Sequence, residues 1–81
     1  MNYQCIRNGE EYLIILNEQS KMLRLNEAGM TLWKEKIDKN SSVLTMVEIL
    51  MNTYNATEEE AFSAVDQFIE ILINNNIIEG R

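Results

Sequence analysis

LRLNEAGMTLWKEK, residues 23–36, begins as a strand and ends as a helix, with Asn26 at the seam and Gly29 just inside the helical part. In the strand half, Leu23 and Leu25 fall on one face while Arg24 shares the other with Met22, so one side suits a core and the other is amphipathic. Asn26 fits an N-cap, accepting a hydrogen bond from the first turn, and Glu27 is placed favourably for the helix dipole. Met30, Trp33 and Ile37 form one apolar stripe, which carries the helix to about Ile37. Gly29 is the odd residue: glycine inside a helix costs about 1 kcal/mol relative to alanine, and its presence predicts a close backbone approach at the junction.

Before the seam the chain reads as strands. Residues 2–7, NYQCIR, alternate roughly, and Asn8-Gly9 offers a pair that tolerates positive φ in a hairpin turn. YLIIL at 12–16 follows, apolar at every position as a central strand would be. NEQSK at 17–21 then turns the chain into MLRL. The expectation is a three-stranded antiparallel meander whose third strand lies on an edge.

After the seam come helices. DKNSS at 38–42 is a polar break in which Ser42 can cap a second helix of about a dozen residues, with Val43, Val47, Leu50 and Tyr54 at helical spacing. Asn55 and Ala56 break the chain again. Thr57 and Glu60 spell a capping box ahead of the longest helix, 58–74, which three asparagines end before Ile77-Ile78 returns to the core. The order is βββααα, an α+β fold of winged helix-turn-helix type, as a single domain over 1–78 with a short tail at 79–81. That tail, Ile78-Glu79-Gly80-Arg81, also spells a protease recognition site of the kind left by cloning.

In the third helix, Ile71, Ala64, Phe68, Ala61, Leu72, Val65, Ile69, Phe62 and Ile73 fill an arc of about 200°, roughly twice what one core contact needs. Either the chain itself covers the helix on two sides, or part of the face forms a groove for a partner.

Composition narrows the function. The chain has 81 residues, a formal charge of −6 and no histidine, which removes the commonest general base and metal ligand. Glu58, Glu59 and Glu60 sit where a helix start wants acids, and Cys5 alone makes neither a disulfide nor a thiolate cluster. No catalytic residues, cofactor or metal site are expected. With neither a signal segment nor a membrane span, a cytoplasmic protein is expected. Lys21, Arg24, Lys34, Lys36 and Lys39 make the middle of the chain mildly basic, while all but Glu27, Glu35 and Asp38 of the thirteen acids lie outside it.

Two kinds of binding fit this inventory. A winged helix could enter DNA, but the helix it would use carries Glu58, Glu59, Glu60, Asp66 and Glu70 with no Lys or Arg, against the cations that phosphate binding requires. An extended peptide could instead add a strand to the edge of the third one, beside the over-wide face of the third helix, with Lys21 and Arg24 guarding the edge and favouring one peptide charge. Self-pairing through the same edge, giving a homodimer, is a third reading.

The run L-N-E-A-G-M-T-L-W at 25–33, the second-helix pattern ending in Leu50 and Tyr54, and F-I-E-I-L-I-N-N-N-I-I at 68–78 resemble the PqqD-like peptide chaperones, also called RiPP recognition elements. The resemblance spans about residues 12–78. It implies a three-stranded sheet with three helices and a non-catalytic role, in which the domain binds the leader segment of a ribosomally made precursor peptide and presents it to a modifying enzyme. Carried onto this chain, the family's leader site falls on Lys21, Met22, Leu23, Arg24 and Leu25, and on Ala61, Ala64, Val65, Phe68 and Leu72. Ala64 stands where many members have Asp, and Asp66 points about 160° away around the helix. The implied partners are the precursor leader and either a leader peptidase and cyclase, as in lasso-peptide clusters, or a radical-SAM enzyme, as for PqqD itself, with neither nucleic acid nor membrane.

Overall fold

Asn26 caps the helix as its chemistry suggests. In the computed structural model, which describes residues 2–80, its Oδ1 accepts a hydrogen bond from the Gly29 backbone N–H at 2.7 Å. A Cβ added at Gly29 would stand 3.2 Å from that same oxygen and 3.3 Å from Leu25 Cβ. The crowding that keeps glycine here therefore comes from the side chains of the seam, where the sequence suggested a neighbouring backbone.

Three strands precede the seam: β1 (Gln4–Asn8), β2 (Glu11–Leu16) and β3 (Lys21–Leu25), antiparallel in the order β1-β2-β3. The first hairpin pairs Asn8 with Glu11, so its two loop residues are Gly9 and Glu10, one position later than Asn8-Gly9. Gly9 alone of the two takes positive φ, 67°, the pattern of a turn that needs glycine at its first central position. Between β2 and β3 a short 3-10 turn, Asn17–Gln19, ends on Ser20 in the left-handed region.

The register assigns the two faces of the sheet. Ile14, Leu16 and Leu25 share one face and are buried. Leu13 and Ile15 share the opposite face with Ile6, Met22 and Arg24, and are only half-buried. β2 is central in the ladder, then, without being fully covered on both faces.

Helix α1 (Glu27–Trp33) continues as a π turn over Lys34–Asp38, close to the expected end at Ile37. Met30, Leu32 and Trp33 are buried. The Tyr3 ring meets Trp33 edge-on at 5.3 Å between centroids, and its hydroxyl donates to Asp38 at 2.9 and 3.1 Å. Burial, and then the hydrogen bond to Asp38, push the Tyr3 phenol above its ordinary pKa, so it remains the donor.

From Asn40 onward the chain forms a second compact unit. Ser42 Oγ accepts from the Thr45 N–H at 3.2 Å and starts α2 (Val43–Tyr54), whose buried positions are Met46, Val47 and Leu50. Val43 and Tyr54 lie on the same stripe by angle but are exposed, since they occupy the first and last turns of a short helix. Asn55 leaves α2 in the left-handed conformation, and α3 (Glu58–Asn74) packs against α2.

The capping box is complete. Thr57 Oγ1 accepts from the Glu60 N–H at 3.1 Å, and Glu60 Oε1 accepts from the Thr57 N–H at 2.9 Å. The bond from the Thr57 backbone holds the Glu60 carboxyl below its ordinary pKa. Its contribution is therefore present above the ordinary carboxylate pKa and lost as pH falls through the lowered one. Thr57→Ala is expected to cost about 1 kcal/mol, a fall of roughly 4–8 °C in melting temperature, read from thermal melts at neutral pH. The difference in melting temperature between the unmodified chain and Glu60→Ala should narrow in acid.

At its other end α3 closes with a Schellman motif: the Ile77 N–H donates to the Leu72 carbonyl at 2.9 Å and the Asn76 N–H to Ile73 at 3.0 Å, with Asn76 left-handed at φ 59°. Ile77 is buried, as the motif's hydrophobic contact requires, while Ile78 is half-buried. Of the expected tail, Glu79 and Gly80 are exposed and Arg81 lies outside the described residues.

Candidate peptide-binding surfaces

Among the described residues no strand lies on the outer side of β3, so half of its backbone groups face away from the ladder. Met22 and Arg24 project from the exposed sheet face, Met22 with 57% of its surface open. Lys21, Leu23 and Leu25 project from the other and grade from half-buried to buried. A strand added here would find an apolar neighbour and a cation on one side and a mainly aliphatic row on the other.

The strand is also well held from behind. All five of its residues are in register with β2, from Leu16 opposite Lys21 to Tyr12 opposite Leu25. The Asn26 cap then fixes where the strand stops.

On α3 the structure separates the residues that the sequence grouped. Ala61, Val65, Phe68, Ile69 and Leu72 are buried, and their arc is only about 100° wide, the width of one core contact. The surplus apolar width stands open on two shoulders, one with Ala64 and Ile71, the other with Phe62. Of the five α3 positions carried over from the family, Ala64 alone is exposed. It lines a shallow depression of ≈ 420 Å³ with Thr57, Glu59, Glu60, Ser63 and Gln67.

Ile71, 44% exposed, is the α3 residue most easily overlooked. Its signal was available in the sequence, because it marks the outer limit of the apolar arc two turns after Ala64.

Charge divides as the sequence indicates. From Asn40 to Gly80 there are seven carboxylates and no Lys or Arg, while the cations Lys21 and Arg24 are on β3. Phosphate contacts have no source on α3. Among the described residues no three Cys, Asp or Glu side chains gather into a metal-binding group, and no helix is long and apolar enough to cross a membrane.

No curated protein and no solved structure matches the chain. A family profile does, over residues 12–78: Coenzyme PQQ synthesis protein D (PqqD). The matched stretch begins at the second residue of β2 and takes in β3 and all three helices. The chain thus belongs to the PqqD family, non-catalytic chaperones that bind the precursor of a ribosomally made peptide and work with a radical-SAM partner.

Proposed function

We propose that this protein captures the leader segment of its precursor as an additional strand on the outer side of β3 and hands the attached core peptide to a modifying enzyme in the cytoplasm. The observation that carries this reading is the edge position of β3. Backbone pairing would supply much of the affinity, and the alternation of Met22 and Arg24 with Lys21, Leu23 and Leu25 would supply selectivity.

On α3, Ala64 is the exposed member of the family-derived set, while Ala61, Val65, Phe68 and Leu72 are buried. Alanine where many members have Asp removes an anionic contact to the leader at that point. Selection by charge then rests on Lys21 and Arg24, which favour an acidic or neutral leader. The modifying enzyme is either the leader peptidase and cyclase of a lasso-peptide system or a radical-SAM enzyme of the PqqD type.

The test is a titration with the synthetic leader of a candidate precursor peptide, followed by amide NMR shifts. Shifts concentrated in residues 21–25 are expected; if those amides stay still at saturating peptide, strand addition to β3 is refuted. Trp33 is fully buried, so its fluorescence would report repacking and not contact.

A further inference from the structure

Among the described residues the sheet has a second open margin. β1 is the other edge strand, and all five of its residues are exposed. Natural edges are guarded by lysines, proline, bulges or a covering segment. β3 has Lys21 and Arg24. β1 has one cation, Arg7, and its own hairpin engages it: Arg7 Nε donates to the Gly9 carbonyl at 3.2 Å and its guanidinium stacks 5.7 Å from the centroid of Tyr12. What remains along the strand is Gln4, Cys5, Ile6 and Asn8, uncharged, with Ile6 48% open on the sheet's outer face.

From this we infer that β1 pairs with β1 of a second copy of the chain. An antiparallel two-fold centred on Ile6 sets Ile6 against Ile6, Gln4 of one copy against Asn8 of the other, and Cys5 against Arg7. Every cross-strand neighbour is then apolar–apolar, amide–amide or neutral–cation, with no like charges opposed. Residues 2–39 hold six basic and six acidic side chains, so the segments brought together are balanced despite the net charge of −6.

The product is a six-stranded sheet with a β3 at each end, so both peptide-binding margins stay open. Five paired residues bury less than the ~1,200–2,000 Å² typical of stable complexes, so the dimer is weak and concentration-dependent. β1 precedes the family-matched stretch, which starts at Tyr12, and the pairing does not depend on the leader-binding reading.

Sedimentation equilibrium of the full chain from micromolar to millimolar concentration tests this. The mass should rise toward that of a dimer, and Ile6→Lys, which opposes two ammonium groups, should raise the dissociation constant about ten-fold. Circular dichroism checks that the variant folds. A second measurement is independent of that variant. In a Cys5→Ser background, Ile6→Cys places two thiols on facing residues whose Cα atoms are about 4.5–5.5 Å apart, within disulfide range. Mild oxidation should link them rapidly, while Met22→Cys on β3 in the same background should not link. A mass that stays monomeric at the highest concentration, unchanged association in a folded Ile6→Lys chain, or equal cross-linking through Met22→Cys would each overturn the assignment.

Discussion

Trp33→Ala should remove about 3–5 kcal/mol of stability, the usual cost of deleting a large buried aromatic side chain. A chain of this size has roughly 4–12 kcal/mol in all, so the variant is expected to lose most of its cooperative melt and its near-ultraviolet dichroism. Trp33 has no exposed surface and sits edge-on to Tyr3, whose hydroxyl is in turn bonded to Asp38. Removing the indole thus loosens the segment before β1 as well as the core. Its Nε1–H is buried without a well-formed hydrogen bond, although it lies near enough to the Tyr3 hydroxyl to oppose the rise in that group's pKa. Trp33→Phe keeps the ring contact and deletes the unmatched donor, so it should cost far less than alanine. Urea melts of the two variants give the comparison, and equal losses would contradict this packing.

Proline substitutions along β3 should separate folding from peptide capture. In an antiparallel edge strand, N–H groups alternate between the neighbouring strand and open solvent. Met22→Pro and Leu23→Pro therefore fall on opposite sides of that alternation. The one that removes a ladder bond to β2 should destabilise the chain by about 3 kcal/mol or more. The other deletes an outward N–H, which edge strands tolerate, and should leave the fold standing while weakening leader binding about ten-fold or more, since a donor is lost and a ring intrudes on the new strand. Thermal melts and leader titration of both variants read the two effects. If the folded variant binds leader as well as the parent chain does, capture does not use this backbone.

The sequence was most legible where a side chain acts on its own backbone. Asn26, Ser42 and Thr57 each cap the helix they precede, and the Thr57–Glu60 box closes in both directions. Such contacts span a few residues and need no knowledge of the rest of the chain. The strand order followed for the same reason, since each strand pairs with the next. Less legible was the exact turn: Asn8-Gly9 is a strong hairpin signal, but ladder pairing carried Asn8 into the strand and left Gly9 to provide the positive φ.

The candidate site was readable only in part. Alternation alone put Met22 and Arg24 on one face of β3 and Leu23 and Leu25 on the other. On α3, periodicity gave the apolar arc but not its division into a buried centre and open shoulders, because that division depends on what packs against the helix. Ala64 and Val65 are adjacent in sequence and equally apolar, yet one is exposed and the other buried. The open margin of β1 was hidden for a different reason, since Arg7 looks like a guard until its bond to Gly9 and its stacking on Tyr12 are seen.

The sequential topology also governs how the molecule assembles in time. Each strand meets its chain neighbour, and α2 meets α3 across a three-residue break, so the loops closed on folding are short. At similar stability, chains rich in near-neighbour contacts fold faster than chains dominated by distant ones. With no proline in the sequence, the slow isomerisation that delays many chains for tens of seconds has nowhere to occur. Refolding of this chain should therefore show no proline-limited slow phase.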